Sequence, residues 1–335
     1  MSRFFVTGGA GFIGGHLVAR LLHKPDAQVV VYDNFSSGRS WHLQPTMSLN
    51  REPAATARAN EKRLHVVTGE IKDLSRLREA MAGADTVFHL ASNPDIARAV
   101  REPDIDFWEG TYLTQNVLEA MRQNGVPRLI YSSGSGVYGD TGTEPVAETY
   151  SPMRPISTYG ASKLAGEALI CSYCHMFDMH ALAFRFANVV GPRQTHGVAY
   201  DFVLRLLRDP TQLQILGDGS QSKSYIHVDD VLDAIFFLHD RGWQGFDVFN
   251  VATTDYVTVR EIADLVVQQL GLAQVAYSFT GGDRGWKGDV PVVRFDTQKL
   301  RARGWSNRRT SRQALIASID SLIADARAGK LATDK

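Results

Sequence analysis

The chain has 335 residues, of which 44% are hydrophobic and 21% charged, an ordinary composition for a globular protein with a large core. Lys plus Arg and Asp plus Glu both number 36, so no net charge favours nucleic acid or an anionic membrane as partner. No apolar run approaches the ~20 residues that span a bilayer, and a strand-like run rather than a signal segment follows Arg3. We therefore expect a cytoplasmic protein.

Short β-branched runs alternate with longer amphipathic stretches through the first half of the chain. This alternation is typical of a parallel sheet flanked by helices. Strands are predicted at residues 4–7, 28–32, 64–67, 86–90, 129–132 and 181–186, and helices at 13–22, 74–81, 96–122 and 158–176. Pro103 can break the 96–122 helix, and the polar residues 36–62 predict a long loop with room for a short helix.

The rhythm changes after Asn188, where Gly-Pro and Gly-Asp-Gly segments interrupt it. Residues 228–240 and 247–251 predict one more helix and strand of the first sheet, and residues 259–270 and 311–326 predict further helices. The predicted fold class is α/β, with a Rossmann doubly wound parallel sheet and a smaller, discontinuous C-terminal substrate domain. The sheet domain would take residues 1–187 plus 224–251, and the second domain residues 188–223 plus 252–330.

The two cysteines, Cys171 and Cys174, lie one helical turn apart inside the predicted helix at residues 158–176. This spacing also occurs in redox-active pairs, but here it falls in mid-helix, and no second pair completes a metal site. We therefore predict that the protein holds no metal ion. Two reduced thiols are also typical of a cytoplasmic protein.

A glycine-rich segment directly follows the first predicted strand and begins the first helix. It reads Thr7-Gly8-Gly9-Ala10-Gly11-Phe12-Ile13-Gly14, which spaces three glycines as GxxGxxG. Such glycines turn the chain tightly, let backbone approach a pyrophosphate and pack helix on strand, and the helix N-terminus attracts the phosphates. Strand, loop and helix in this order predict a dinucleotide-binding site.

The acidic residue that ends the second predicted strand indicates which dinucleotide binds. Asp33 lies about 20 residues beyond the glycines, where a carboxylate can hydrogen-bond both ribose hydroxyls. It would repel a 2′-phosphate, and the nearest base in the following loop is Arg39. NAD is therefore the expected cofactor. The alternative is that Asp33 only begins a turn before Asn34.

A tyrosine and a lysine follow the fifth predicted strand, at the start of a helix. Tyr159 and Lys163 are four residues apart, so they lie on one helix face. A free tyrosine has a pKa of ~10 and is a poor base at neutral pH, but a lysine cation and a nicotinamide ring both favour the phenolate. This arrangement predicts general acid–base catalysis beside a nicotinamide cofactor.

Eight segments carry a family resemblance: TGGAGFIG, DNFSSG, HLAS, VYGD, YGASKLAGE, RFANVVGPR, LGDGSQSKSYIHVDDV and GDRGWKGDVP. They resemble extended short-chain dehydrogenases/reductases over almost the whole chain, and most closely the UDP-glucose/UDP-galactose 4-epimerase group, especially its archaeal type. The resemblance implies a homodimer in which the helices at residues 96–122 and 158–176 pair across a two-fold axis.

The resemblance also implies which residues hold the ligands. The cofactor-binding residues would be Gly8, Gly11, Phe12, Ile13, Gly14, Asp33, Asn34, Ser36, Ser37, Gly38, Glu70, Ile71, Leu90, Ala91, Ser92, Tyr159, Lys163 and Phe186. The nucleotide-sugar substrate, expected to be UDP-linked, would be bound by Asn188, Lys223, Arg284 and Asp289. For Arg284, an ordinary surface charge is the alternative.

Three positions depart from the family pattern. The usual catalytic Ser or Thr position holds Gly134, so we expect Ser133, and second Ser135, to supply the hydroxyl, unless both are plain loop serines. We expect the chain to leave the strand near Ser133, since Gly134 can adopt a positive φ. The helix asparagine that usually faces the Tyr/Lys pair is Gly110, and Lys223 replaces a common diphosphate-binding arginine.

The predicted activity is NAD-dependent epimerisation of a nucleotide sugar, with C4 of a UDP-hexose as the preferred site, through transient oxidation to a 4-ketose. Ser135 and Gly136 stand where 4,6-dehydratases carry Asp-Glu, and Gly136 where decarboxylases carry Glu, so both of these alternatives are disfavoured. A further alternative is a non-catalytic NAD-binding regulator, which Gly110 and Gly134 would suit.

Overall fold

The computed structural model describes residues 2–44 and 63–331. By their internal contacts these residues fall into two compact units. The first unit comprises the described residues of Met1–Ser133, Ser162–Phe184 and Arg241–Val248, and the second comprises those of Gly134–Ala161, Arg185–Asp240 and Phe249–Lys335. These bounds report compactness and not ligand binding, so the predicted division into two ligand-binding domains stays a prediction.

Within the described residues the chain forms thirteen strands and nine α-helices. The strands are β1 Ser2–Thr7, β2 Ala27–Asp33, β3 Leu64–Thr68, β4 Thr86–His89, β5 Arg128–Gly134, β6 His180–Phe186, β7 Asn188–Val190, β8 Gln212–Ile215, β9 Ser222–Lys223, β10 Tyr225–His227, β11 Phe246–Val251, β12 Val257–Thr258 and β13 Ala276–Phe279. The α-helices are α1 Phe12–Leu22, α2 Leu74–Met81, α3 Tyr112–Asn124, α4 Thr158–Met176, α5 Val198–Arg208, α6 Val228–His239, α7 Val259–Leu270, α8 Gln298–Ala302 and α9 Ser311–Arg327.

Seven of these strands form the central sheet, in the order β11-β6-β5-β4-β1-β2-β3. The pairs β1–β2, β1–β4, β2–β3 and β4–β5 are parallel. Strands β2 and β4 are buried along almost their whole length, as expected for parallel strands covered on both faces. The chain order reverses between β1 and β4, which is where doubly wound sheets bind ligands. The predicted Rossmann fold is confirmed.

The strands predicted in the first half are all present, within two residues at each end. The helix predicted at residues 96–122 is interrupted, and the break lies at Pro103, as the sequence allowed. A 3-10 turn at Ile96–Val100 comes first, then a break around Pro103, which cannot donate a backbone hydrogen bond. A wide π-helical turn, Phe107–Thr111, then leads into α3, with the Tyr112 N–H donating to the Phe107 carbonyl five residues earlier.

The second unit contains pairs of short strands and four of the larger helices. Strand β7 pairs with β10, β8 with β13 and β9 with β12. Helices α5, α7 and α9 bury a common apolar cluster that includes Val203, Ile262 and Ile319. Strands of two or three residues, such as β9 and β12, are too short to show a hydrophobic period, so the sequence did not predict them.

The long loop predicted at residues 36–62 contains a 3-10 turn, Ser40–Leu43, and its residues 45–62 lie outside the described residues. Across residues 2–44 and 63–331, none of the helices has the combination of length and apolar character that crossing a membrane requires.

Candidate active site

The glycine-rich loop after β1 meets the end of β4 at backbone contact. A Cβ atom placed on Gly8 would lie 2.7 Å from the Ala91 N atom, and one placed on Gly14 would lie 2.2 Å from the Gly8 carbonyl oxygen. Gly8 also has a φ of +70°, which side chains rarely adopt. The predicted cofactor residues of the two loops are therefore adjacent, and only glycine fits at these positions.

Helix α1 begins without a side-chain cap, since its N-cap residue is Gly11. By contrast, α2, α7 and α9 begin with hydrogen-bonded caps from Asp73, Thr258 and Thr310. The first N–H groups of α1 are thus not taken by a capping side chain, and the positive end of the helix dipole points toward the glycine loop. This end of α1 fits a dinucleotide pyrophosphate.

Asp33, at the end of β2, is fixed beside the same loop. Its Oδ2 accepts a hydrogen bond from the Ala10 N–H at 2.9 Å, and its Oδ1 accepts one from the Phe35 N–H at 2.8 Å. Burial raises the pKa of the Asp33 carboxyl, and the two backbone hydrogen bonds oppose that rise. A Cβ on Gly38 would lie 2.9 Å from Oδ1, so the Ser-Ser-Gly loop closes over the carboxylate.

The predicted adenosine-side residues also come together. Asn34 Nδ2 lies 3.2 Å from both carboxylate oxygens of Glu70, which follows β3. Ile71 is buried, and its carbonyl accepts a hydrogen bond from Asn116 Nδ2 at 3.0 Å. Ser36 is exposed, with its N–H bonded to Asn34 Oδ1 at 3.0 Å. The loops after β2 and β3 therefore form one polar rim, which fits an adenosine.

His89, which ends β4, was not predicted as a site residue. It is fully buried, with Nδ1 at 2.7 Å from Thr7 Oγ1 and Nε2 at 3.2 Å from Thr114 Oγ1. Burial, with the nearby Lys163 charge, lowers its pKa to about 3, so the ring is neutral. The sequence did contain a signal for this residue, because a histidine ends the buried strand Thr-Val-Phe-His directly before the predicted cofactor residues Leu90 and Ala91.

Lys163 is buried in the first unit, with 3% of its surface exposed. Its Nζ donates to the Ser132 carbonyl at 2.8 Å and lies 5.1 Å from the centre of the Tyr131 ring. Burial lowers its pKa to about 8, while the charges of Asp106 and Glu167 oppose that effect. A lysine with such a pKa can respond to a proton transfer near neutral pH.

The predicted catalytic hydroxyls have different surroundings. Ser133 is 4% exposed, and its Oγ donates to the Glu167 carboxylate at 2.5 Å. Gly134 is extended, with φ −161° and ψ 173°, so the expectation of a positive φ there is wrong and the strand continues past Ser133. The chain turns only at Ser135, which begins a 3-10 turn and is half-buried.

The turn that contains Ser135 packs on the start of α4 in the second unit. A Cβ on Gly160 would lie 2.3 Å from the Gly136 carbonyl oxygen, and a Cβ on Gly136 would lie 3.1 Å from the Gly160 Cα. The same Gly136 position is 3.9 Å from Tyr159 Cδ1. Two glycines thus bring the Ser135 turn against the half-buried Tyr159, a contact that larger residues would prevent.

The predicted substrate-binding residues of the C-terminal segment form a charged cluster in the second unit. Lys223 Nζ lies 2.6 Å from Asp289 Oδ1. Arg284 donates to the Asp289 carbonyl at 2.6 Å and, through its other terminal nitrogen, to Asp140 Oδ2 at 2.6 Å. Arg284 is therefore a partly buried, doubly bonded side chain and not a plain surface charge.

The two remaining predicted residues lie at strand β6 and after it. Asn188 begins β7, paired with Tyr225 of β10, and is exposed. Phe186, the last residue of β6, is 6% exposed. The sequence-based assignment of both residues to ligand binding stays a prediction.

Comparison with known proteins identifies the family. The model of the NAD dependent epimerase/dehydratase family matches residues 4–252. A UDP-glucose 4-epimerase of Mycolicibacterium smegmatis is 34% identical over 275 residues, which are 80% of this chain and 83% of that protein. A dTDP-glucose 4,6-dehydratase of an Actinoplanes species is 29% identical over 290 residues, which are 84% of this chain and 86% of that protein.

A solved structure gives the same result. The crystal structure of a UDP-galactose 4-epimerase is 36% identical and superposes with a TM-score of 0.81, covering 96% of this chain and 99% of its own. The predicted family and its cofactor, NAD, are thereby confirmed. The chain belongs to the NAD-dependent epimerase/dehydratase family.

Proposed function

We propose that the protein is an NAD-dependent epimerase that inverts C4 of a UDP-hexose. The observation that carries the proposal is helix α4, which presents Tyr159 and Lys163 on one face while the Ser135 turn packs on its first residues. The two epimerases described above are named for UDP-glucose and UDP-galactose, and they match this chain over most of its length.

The Tyr159 phenol is the proposed base and acid of the reaction. As phenolate it takes the proton of the sugar 4-hydroxyl, and it later returns a proton to the same oxygen. Lys163, four residues along the helix, stabilises the phenolate by its positive charge. Bound NAD would supply the oxidising power, as the acceptor and later the donor of a hydride at C4, with inversion following if the 4-ketose turns its other face to the cofactor.

The hydroxyl that orients the sugar is best supplied by Ser135. The expected first choice, Ser133, donates a hydrogen bond to the buried Glu167 carboxylate, so its hydroxyl is already engaged. Ser135 is half-buried in the turn that contacts the start of α4, so its hydroxyl can reach a ligand beside Tyr159. We therefore propose Ser135 as the catalytic hydroxyl and Ser133 as a support of the Glu167 carboxylate.

The diphosphate would be bound by Lys223 and Arg284 in the second unit. Both cations are held in place by Asp289, through its side chain and its carbonyl oxygen respectively. Lys223 brings a positive charge, but unlike an arginine it cannot form two parallel hydrogen bonds to a phosphate group. We therefore propose that Arg284 makes the main hydrogen bonds to the phosphate oxygens. Asn188, exposed at the start of β7, is proposed to meet the sugar nucleotide.

A dehydratase is the second candidate, because the Actinoplanes relative is a dTDP-glucose 4,6-dehydratase. That reaction needs further acid and base groups beside the substrate. The two positions after Gly134 hold Ser135 and Gly136, and the close contact of Gly136 with Gly160 leaves little space for a longer side chain. This packing favours epimerisation.

A homodimer is proposed from the exposed apolar side chains of the first unit. Phe107 and Trp108 are 51% and 44% exposed, and their rings lie 5.0 Å apart. Met176 and Phe177, at the end of α4, are 70% and 39% exposed. Exposed aromatic clusters of this kind are typical of protein interfaces.

We also propose a cytoplasmic location. The two cysteines, Cys171 and Cys174, are free thiols, and free thiols are typical of cytoplasmic proteins.

The test is a panel of nucleotide sugars, offered to the purified protein with NAD and analysed by NMR for new anomeric signals. Interconversion of a UDP-hexose and its C4 epimer is the expected result. Loss of water to give a 4-keto-6-deoxy sugar would show a dehydratase instead. Complete silence with every sugar nucleotide, together with no change of bound NAD to NADH in the absorption spectrum, would show a binding protein without activity.

A further inference from the structure

The 3-10 turn that begins at Ser135 is closed by a buried tyrosine. The Tyr138 N–H donates to the Ser135 carbonyl at 3.1 Å, and the Tyr138 carbonyl accepts a longer hydrogen bond, of 3.5 Å, from the Arg154 N–H. A Cβ atom placed on the next residue, Gly139, would lie 1.9 Å from the Arg154 carbonyl oxygen. Arg154 lies five residues before Tyr159. The backbone at position 138 therefore contacts both the turn of the proposed catalytic hydroxyl and the segment that leads to the proposed base.

The Tyr138 side chain is anchored in the interior of the second unit. It is 2% exposed, and its hydroxyl donates to Asn250 Oδ1 at 2.7 Å and accepts a hydrogen bond from Arg185 Nη1 at 2.8 Å. The Arg185 Cζ also lies 4.8 Å from the centre of the Tyr138 ring. A buried phenol needs such partners, because an unpaired hydroxyl in the core costs free energy. Two directed hydrogen bonds thus fix where the ring lies.

The two partners of the hydroxyl are themselves held in place. Asn250 is fully buried, and its Nδ2 donates to the carbonyls of Val146 and Asp296, both at 2.9 Å. Arg185 is 2% exposed, and the same Nη1 donates to the Glu148 carbonyl at 3.2 Å. The network therefore ties the tyrosine hydroxyl to the last residues of β6 and β11, which carry these two partners, and the hydroxyl cannot move without them.

Tyr138 is not a rival to Tyr159 as the base. Burial raises the pKa of the Tyr138 hydroxyl to about 12, although the Arg185 charge opposes the rise. The hydroxyl therefore keeps its proton at neutral pH and acts as a hydrogen-bond donor. A phenylalanine ring would fill the same space, so what the hydroxyl adds is a fixed position for the ring and for the backbone attached to it.

We propose that Tyr138 is a positioning residue, whose hydroxyl, through Asn250 and Arg185, holds the Ser135 turn against the start of α4. The inference rests on the proposed epimerase function, since a fixed Ser135 matters to turnover only if its hydroxyl orients the sugar. Tyr138 is buried and acts through the hydrogen bond between its N–H and the Ser135 carbonyl. A small displacement of a group that orients the substrate is enough to lower the rate.

The direct test is amide hydrogen exchange at residue 138, measured by NMR in the wild-type protein and in Tyr138→Phe. The variant keeps the ring and removes only the hydroxyl with its two hydrogen bonds. Because these bonds help to keep the turn closed, exchange at residue 138 should become about tenfold faster in the variant. The matched control is Tyr277→Phe, which removes a hydroxyl that donates to Asp264 Oδ1 at 2.9 Å elsewhere in the second unit. It should leave exchange at residue 138 unchanged.

The kinetic test asks whether Tyr138 acts through Ser135. Tyr138→Phe should lower kcat by about fivefold, which is less than the loss expected for Ser135→Ala. In the Ser135→Ala background the same change should lower kcat by less than about twofold, because the hydroxyl that Tyr138 positions is already absent. A residue with only a structural role would lower kcat by the same factor in both backgrounds. Tyr277→Phe should leave kcat unchanged.

Each outcome decides the proposal. Unaltered exchange at residue 138 in Tyr138→Phe overturns it, and so does a fall in kcat that is equal with and without the Ser135 hydroxyl. If Tyr138→Phe fails to fold, Asn250→Ser removes the acceptor of the same hydroxyl, and unaltered exchange at residue 138 there overturns the proposal equally. The exchange measurement needs no turnover, so a wild-type protein that epimerises nothing would refute the proposed function while this measurement still decides whether Tyr138 holds the turn.

Discussion

Replacement of Ser133 and of Ser135 by alanine should have opposite consequences. Ser133 is 4% exposed and donates to the Glu167 carboxylate at 2.5 Å, so Ser133→Ala removes a buried, charge-assisted hydrogen bond. Such a bond contributes ~2 kcal/mol to the free energy of unfolding. With an unfolding entropy of ~2.1 cal/mol/K per residue, about 0.7 kcal/mol/K for 335 residues, Tm should fall by ~3 °C. The kcat should change little.

Ser135→Ala should leave Tm in place, because the Ser135 side chain is half-buried in a turn and not within the core. Its kcat should fall by ~10–100-fold, which corresponds to ~1.4–2.7 kcal/mol lost in the transition state. Calorimetry and NMR-monitored turnover measure the two effects, and Ser172→Ala, at an exposed serine of α4, is the control. Lost turnover with an unaltered Tm in Ser133→Ala, and normal turnover in Ser135→Ala, would refute this reasoning.

Tyr159→Phe should lower turnover by ~10²–10⁴-fold and leave NAD binding almost intact, since it removes only the base; near-native rates would show that another group is the base. Asp33→Ala should weaken NAD more than NADP, since it removes a ribose acceptor and the repulsion of a 2′-phosphate together; equal losses in isothermal titrations would exclude a discriminating role. Stability should fall as the pH drops below about 6.5 toward about 3, because the pKa of His89 is about 3 in the folded protein and ~6.5 when unfolded, so the unfolded chain binds the additional proton. Urea unfolding of His89→Asn should show a shallower loss over that range, and an unchanged slope would contradict the assignment. Light scattering at micromolar concentration should give a dimer, which Trp108→Glu should dissociate; a wild-type monomer would contradict the proposed interface.

The sequence predicted the sheet and the dinucleotide loop well because both follow from local rules. The strands that flank the loop are continuous apolar runs, and the spacing of Gly8, Gly11 and Gly14 has a mechanical reason at each position. Asp33 could be placed because β2 ends there. The four-residue spacing of Tyr159 and Lys163 similarly needs only a helix, which the structure has at Thr158–Met176.

The sequence could not predict features that depend on contacts between distant segments. The position of the turn after Gly134 depends on the packing of Gly136 against Gly160, 24 residues later, and glycine itself permits either conformation. The expectation that the chain leaves the strand near Ser133 was wrong for this reason. The Ser133–Glu167 hydrogen bond spans 34 residues and gave no local signal.

The break in the predicted helix at residues 96–122 shows how an irregular backbone can allow close packing between two helices. A regular helix repeats every 3.6 residues, whereas the π-helical turn before α3 adds a residue, which changes the face that Asp106 presents. The inserted residue would otherwise cost stability, so such turns persist where the surrounding packing or a function requires them. Here the turn brings Gly110 so close to α4 that an added Cβ atom would lie 2.2 Å from the Ser162 Oγ, and it leaves Asp106 buried. The glycine at position 110 is thus best understood as an adaptation that lets this turn pack closely on α4.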